Sequence, residues 1–364
     1  MKVLMITSHS YAGRYWQDIA INFKSRPEEL GFVSLDVFDS PKWASENNHV
    51  KYLAMENGKP LSPFFLFELF KRIKSFQPDV IQTHLFRAGL LGLFFGRLLR
   101  VPVVVTRHHI DEHILAGSRI HCFLDRASIR FADAVIVRSR AAKNWLVKKE
   151  GGDATKITIV NQGFDFELLS PTNDQIVVAR EDLCLSESDF NILCIARYSQ
   201  TKGQEYLAGA VSRLVGEIPN LRLTFVGPGE PDWLQKVITN LGIENITRIS
   251  LSREDIPACL ASADLVVHPS LVDSFSQLLI EVQAVATPVI ATDIAAASEQ
   301  VLDGISGLIV PPRDENAIAS AIKKLYFDPS LRQRMGREGS KWVRINYQVS
   351  KMVDQDLLVL RSVL

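Results

Sequence analysis

Short apolar runs rich in β-branched residues alternate with longer stretches of helical spacing along the whole chain. In the first half KVLMIT, DVIQTH, VPVVVT, DAVIVRS and ITIVNQG read as buried strands, too apolar for one face to meet water. PFFLFELFKRIKSF, which precedes DVIQTH, has helical spacing. Near residue 190 the rhythm restarts with NILCIAR, LRLTFVG, ITRIS, ADLVVHPS, TPVIAT and GLIV. Alternating strands and helices predict parallel sheets covered on both faces. Two such series predict an α/β chain of two doubly wound, Rossmann-like domains facing across a cleft. The expected domains are 1–168 and 169–345, with LLSPTNDQIVVARED as the linker. The final helix near 329–347 and the tail to Leu364 are expected to pack back on the first domain, with 346–364 assigned to it.

At 364 residues, 47% hydrophobic and 23% charged, the chain has an ordinary globular composition and length enough for two cores. A formal net charge of zero excludes a strongly basic nucleic-acid binder but hides an asymmetry. Residues 1–165 hold 23 Lys and Arg against 16 Asp and Glu, whereas residues 166–364 hold 18 against 25. A basic first half suits an anionic partner such as a membrane surface or a lipid phosphate; uneven surface charge between two domains explains it equally well. Cys122, Cys184, Cys194 and Cys259 are scattered and read as free thiols in a reducing compartment. MKVLMITSHS lacks the apolar run of a secretory leader, and LLGLFFGRLLRVPVVV is broken by Arg97, Arg100 and Pro102. A cytoplasmic protein is expected, with the inner face of the plasma membrane as the place where its basic half would serve.

In open parallel sheets ligands sit beyond the carboxyl ends of the strands, so the residues just after each strand carry the chemistry. ARYSQTKGQ follows NILCIA, and Arg197 and Lys202 stand five apart on its strand-to-helix loop. A guanidinium fork, a flexible ammonium and free helix N–H groups make a diphosphate site; two solvated surface cations are the plainer alternative. Gly227 and Gly229 of VGPG either admit a nucleotide close to the backbone or serve a simple turn. HPSLVDSFSQLLIE puts Asp273 just before a helix that begins near Ser274 to Ser276, with Glu281 two turns in. Eight residues rotate about 800° around a helix, so the two carboxylates need not share one patch. Glu281 suits the two hydroxyls of a ribose. An N-cap for Asp273 and a helix-surface acid for Glu281 are the alternatives.

In order and spacing, these motifs together with SEQVLDGISGLIVPPRD resemble the C-terminal half of glycosyltransferase family 4, which has the GT-B fold. The resemblance covers most of residues 190–315, and DVIQTHLFRAGLLG, VPVVVTRHH and NQGFD extend it more weakly into the first half. It implies a retaining, metal-independent hexosyltransferase that uses a nucleotide-diphospho-sugar, UDP before GDP, and needs no cofactor. The acceptor would be a hydroxyl of a saccharide or lipid-linked molecule in cell-surface polysaccharide biosynthesis. Arg197 and Lys202 match the donor-diphosphate cations, and Glu281 matches the ribose-binding Glu. Asp273 matches the residue facing the transferred sugar, with Phe275, Ser276 and Gln277 as backbone donors. Glu299 and Gly227 join the donor side. His108 matches a histidine near the donor sugar, and Gly13 lies with it on the acceptor side. His84, which ends DVIQTH, either lines the same acceptor-side cleft or is a satisfied structural histidine, the plainer reading. The implied catalytic set is His108, Asp273, Arg197 and Lys202. The departing phosphate would help accept the acceptor's proton, leaving the protein to neutralise charge in a dry site.

Asp273 is one methylene shorter than the family's usual Glu, and Ala295 and Ala296 replace a glycine pair, predicting strain if φ is positive there. Only Gly13 stands near the N-terminus where two glycines are common, and NQG replaces Asn-Gly. His109, Glu112 and His113 have the H-x-x-E-H spacing of a zinc site, but they follow a strand rather than sitting on a helix. Asp354 and Asp356 mimic a D-x-D metal motif within a helical tail. PFFLFELFKRIKSF sets Phe side chains beside Lys71, Arg72 and Lys74, which fits a peripheral membrane face or, more simply, a core helix with a basic outer side. A nucleotide-sugar epimerase and a non-catalytic nucleotide-sugar-binding protein are the rival functions.

Overall fold

The structure is a computed structural model that describes residues 1–8, 13–36, 41–53, 55, 62–108, 118–294 and 296–364. It divides into two compact units, Met1–Phe164 with Tyr347–Leu364, and Asp165–Asn346.

The first unit is a seven-stranded parallel sheet in the order β3-β2-β1-β4-β5-β6-β7. Its strands are β1 (Lys2–Thr7), β2 (Glu29–Ser34), β3 (Val50–Tyr52), β4 (Val80–His84), β5 (Val103–Arg107), β6 (Ala134–Val137) and β7 (Ile157–Ile159). The connecting helices are α1 (Gly13–Phe23), α2 (Lys42–Ser45), α3 (Pro63–Phe76), α4 (Phe86–Leu99), α5 (Arg119–Phe131) and α6 (Arg140–Glu150). Helices α3 to α6 build one core with Ile81, Val105 and Val135 of the sheet. Helices α1 and α2 cover the opposite face around Val3, Phe32 and Ile136. Helix α3 begins where Ser62 accepts the Phe65 N–H and Pro63 takes the first helical position, a preformed start.

Strands β2 and β3 are not announced by the apolar pattern of the sequence. Gly31 interrupts the apolar run of ELGFVS, and the packing requires it, because a Cβ there would lie 2.6 Å from the Phe76 ring of α3.

The second unit holds six parallel strands in the order β10-β9-β8-β11-β12-β13. These are β8 (Phe190–Ile195), β9 (Leu221–Val226), β10 (Thr247–Ser250), β11 (Leu265–His268), β12 (Val289–Thr292) and β13 (Leu308–Val310). Around them run α7 (Asn173–Asp182), α8 (Gln204–Ser212), α9 (Asp232–Leu241), α10 (Ile256–Ser262) and α11 (Gln277–Ala284). Helices α12 (Ala297–Gln300), α13 (Glu315–Phe327) and α14 (Pro329–Asn346) complete it, and α15 (Val349–Arg361) belongs to the first unit.

Two expectations change here. The stretch read as a linker contains α7, whose Thr172 side chain and Gln175 form a reciprocal capping box. Ala179 is the buried residue of this helix, while Val177 and Val178 are exposed, so it offers no apolar stripe to read. Helix α14 stays with the second unit instead of crossing to the first. Gly336 lets it touch α11's end, where a Cβ would come 1.9 Å from the Ala286 carbonyl oxygen. Helix α15 alone returns, packing against α1 with Met352, Val353 and Leu357 buried.

Both sheets reverse their strand order once near the centre, between β1 and β4 and between β8 and β11. The loops leaving such a pair diverge to opposite faces and open a crevice at their carboxyl ends.

Candidate active site

In the second unit that crevice gathers the residues after β8 and β11. A single turn at Gln200–Lys202 ends at Gly203, held at φ 65°. A Cβ on Gly203 would lie 2.1 Å from the Pro269 carbonyl oxygen, so glycine is what lets the two loops touch. The Leu271 N–H donates to the Thr201 carbonyl at 2.8 Å and fastens them. Lys202 Nζ consequently lies 3.1 Å from Asp273 Oδ2, with the two side chains 21% and 22% exposed. His268, the last residue of β11, has Nε2 3.6 Å from the same oxygen, past hydrogen-bond reach but close enough to act on its charge. Burial pushes the Asp273 carboxyl up; the His268 ring and the Lys202 ammonium outweigh it, and the group titrates below the ordinary aspartate value.

Asp273 is not an N-cap. Helix α11 starts at Gln277, Ser276 is its cap residue, and the Ser276 side chain makes no capping bond. Gln300 instead grips the Ser276 backbone from both sides: Oε1 accepts its N–H at 3.0 Å and Nε2 donates to its carbonyl at 2.7 Å. The Ser276 N–H expected to face a donor is therefore already taken. Gln283 Nε2 donates to the Gln300 carbonyl at 2.9 Å and ties α11 to α12. Phe275 lines a shallow recess with His268, Asp273, Ser276 and Gln300. Gln277 is exposed at the first helical position, and Glu281 is partly buried one turn inside α11, not two. Glu299 is partly buried in α12.

Arg197 is exposed, its carbonyl held by Gln204 Nε2 at 3.0 Å. Gly227 packs the VGPG loop onto the loop after β8, since a Cβ would meet the Ala196 carbonyl oxygen at 1.9 Å. The Tyr198 N–H donates to the Pro228 carbonyl at 2.9 Å and secures the same contact. Ala296 adopts φ −97°, so the strain expected of the alanine pair is absent there; Ala295 lies outside the described residues.

In the first unit His84 ends β4, fully buried, and its Nδ1 is 3.0 Å from Nε2 of His108, just after β5. The Tyr15 and Trp16 rings meet His84 edge-on. Burial and then the Arg138 charge hold the His84 pKa well below the usual histidine value, so His84 stays neutral. Arg138, itself buried, donates to Tyr15 Oη at 2.6 Å, to the Val160 carbonyl at 3.1 Å and to Asp356 Oδ1 at 3.4 Å. Gln82 Nε2 donates to the other oxygen of Asp356 at 3.4 Å and to Thr106 Oγ1 at 3.1 Å. Burial pushes the Tyr15 phenol up to about 12. The D-x-D of the tail is thus a structural acid, Asp356, and a surface one, Asp354, which pairs with Arg26. Gly13 opens α1, while His109, Glu112 and His113 lie outside the described residues. Among the described residues, no three His, Cys, Asp or Glu side chains gather in a way that would hold a metal.

His268, Gln300, Tyr15 and Arg138 were not singled out from the sequence. His268 alone had a signal, as the polar end of an apolar strand.

Residues 13–168 match the model described as Glycosyltransferase Family 4, and residues 178–342 match that of Glycosyl transferases group 1. Over 293 residues the chain is 28% identical to the D-inositol 3-phosphate glycosyltransferase of Corynebacterium glutamicum, covering 76% of this chain and 70% of that protein. Over 304 residues it is 29% identical to the protein of that name from Pseudarthrobacter chlorophenolicus, covering 77% and 72%. For the relatives from Kribbella flavida and Streptomyces bingchenggensis the chain spans 65% and 61% of their length, under two thirds. Among solved structures, Anabaena HepE in complex with UDP-glucose superposes with a TM-score of 0.84 at 23% identity over the whole of both chains. Sucrose-phosphate synthase from Thermosynechococcus elongatus gives 0.81 at 20% identity, over all of this chain and 98% of that one. The solved structures speak for the fold, and the two family models for the chemistry, so the chain belongs with the glycosyltransferases of GT-B architecture, a family 4 domain followed by a group 1 domain.

Proposed function

We propose that this glycosyltransferase moves a hexose-type sugar from a nucleotide-diphospho-sugar to an acceptor hydroxyl with retention, a UDP-sugar ahead of a GDP-sugar. The observation that carries the reading is the Lys202–Asp273 pair at the carboxyl ends of β8 and β11, with Arg197 exposed earlier on the loop that carries Lys202. An ammonium and a guanidinium receive the diphosphate, Asp273 faces the sugar, and Glu281 accepts the ribose hydroxyls. The bond between the sugar's anomeric carbon and the diphosphate oxygen breaks. A bond to the acceptor oxygen forms on the same face, and the acceptor's proton passes to the departing diphosphate. No metal is required, because the cations supply the counter-charge. His108, with His84 behind it, is assigned to the sugar and acceptor side.

UDP as the first choice is supported by HepE, crystallised with UDP and with UDP-glucose. The names of the inositol 3-phosphate relatives add a phosphorylated cyclitol to the saccharide or lipid-linked acceptors to be tried. Cell-surface glycan synthesis, at the cytoplasmic face of a membrane, is the role we assign. The rival reading of a non-catalytic binder loses support at Ala296, whose backbone is unstrained.

Calorimetric titration with UDP, GDP and ADP tests the reading. One nucleotide should bind, and Glu281→Ala and Arg197→Met should each weaken it. If none of the three binds, the donor assignment is wrong.

A further inference from the structure

Helices α3, α4 and α5 lie side by side on one face of the first unit's sheet. The Phe70 ring of α3 meets Phe95 of α4 with centroids 6.1 Å apart. Arg97 of α4 donates to the Phe131 carbonyl of α5 at 3.2 Å and sits over that ring at 5.4 Å. Each helix buries one stripe in the core beneath and should turn a polar stripe outward. The outward stripes are apolar instead: Phe64, Phe67, Phe94, Leu98, Ile120 and Phe123 are 60–72% exposed. Counting Phe131, the three helices carry seven of the ten large apolar side chains exposed in this unit among the described residues.

Helical geometry aligns them. Phe64, Phe67, Lys71 and Lys74 fall within an arc of about 80°, opposite buried Leu69 and Ile73. Phe94, Arg97 and Leu98 span about 100° on α4, and Ile120, Phe123 and Phe131 about 80° on α5. The charge on these helices is one-sided. They hold eight Lys and Arg against two acids, Glu68 and Asp125. Both acids are buried and bonded to arginines, Glu68 to Arg72 at 3.0 Å and Asp125 to Arg107. Little of either carboxylate is exposed, and each is neutralised by its arginine.

We propose that the face formed by α3, α4 and α5 docks on an anionic lipid bilayer, the phenyl rings entering the headgroup layer and the cations meeting lipid phosphates. This deepens the membrane side of the proposed role and is independent of the donor site. No helix among the described residues is long and apolar enough to cross a membrane, so the contact is a surface one. A second copy of the chain fits the face poorly, because an isologous contact would set the same cations against each other.

The test is co-sedimentation of the full chain with phosphatidylcholine vesicles, with and without phosphatidylglycerol. Binding is expected to the anionic vesicles only, and to fall as salt rises. Lys71→Glu with Lys74→Glu should weaken it by about thirty-fold or more, at roughly 1 kcal/mol for each cation near the surface. Phe64→Ser with Phe67→Ser should weaken it about ten-fold or more. Leu358→Ser, exposed on α15 across the sheet, should leave it unchanged, and every variant should keep the parent's UDP affinity and melting midpoint. Equal binding to both vesicles, or unaltered binding by the paired variants, overturns the proposal. So does a dimer in sedimentation velocity that Phe64→Ser with Phe67→Ser dissolves, which would assign the face to a second copy. Loss of UDP binding with vesicle binding intact would strike only the donor assignment.

Discussion

Lys202 cannot serve a carboxylate and a diphosphate to the full at once, so removing the Asp273 charge should tighten nucleotide binding while damaging transfer. The perturbation is Asp273→Asn, which keeps the shape and removes the charge. At 3.1 Å and an effective dielectric constant of about 20, the pair attracts by about 5 kcal/mol. Desolvation and side-chain ordering cancel most of that in a partly exposed pair, leaving about 1 kcal/mol. Repulsion between the carboxylate and an incoming diphosphate disappears as well, adding a term of similar size. The sum of about 1–2 kcal/mol corresponds to roughly a five- to thirty-fold lower Kd for UDP. Calorimetry on the parent, Asp273→Asn, Lys202→Met and the double variant reads it as a cycle. Lys202→Met should weaken UDP binding, and in that background the gain from Asp273→Asn should shrink. Turnover of a UDP-sugar, followed as donor hydrolysis, should fall in Asp273→Asn. Unchanged or weaker UDP binding by Asp273→Asn would refute the competition, and an equal gain with and without Lys202 would show that Lys202 is not the cation released.

Acid should act through the same carboxyl. Because the Asp273 pKa is depressed in the fold, its stabilising contribution is present above the ordinary aspartate value and is lost as pH falls through the folded one. Asp273→Asn should therefore flatten the stability curve below the ordinary aspartate value, from about pH 4 downward, measured by urea titration. Gln300→Ala strands both polar groups of the buried Ser276 backbone and should cost about 2–4 kcal/mol in urea unfolding, weakening nucleotide binding as the start of α11 loosens. Asp356→Ala leaves the Arg138 charge buried without its carboxylate and should cost about 3–5 kcal/mol, against much less for the swap of both residues to apolar ones of similar volume.

Much of the fold was legible because most strands are covered on both faces and so appear as apolar runs, which is how β1, β5, β8 and β11 announce themselves. Strand β2 hid behind Gly31, and β3 behind the exposed Lys51 at its centre. Helix α7 hid because capping, rather than an apolar stripe, defines its start. For the site, the rule that ligands sit after strands led to Lys202 and Asp273, which the structure holds together. Gln300 gave no such sign, since a glutamine that grips a backbone 24 positions away looks like any helix-surface residue. Gly227 left two readings open, close approach of a nucleotide or a simple turn, and in the fold it seats one loop against another.

The first unit also has an order of assembly written into it. Arg138 is buried in contact with Asp356, 218 residues further along the chain, and the whole second unit lies between them. During synthesis the second unit emerges with every strand it needs, while the first waits with Arg138 lacking the Asp356 carboxylate and the seat of α15 uncovered. The half of the enzyme made first is therefore finished last, and a chain that ends between Asn346 and Asp356 carries a loose first unit ahead of a completed second.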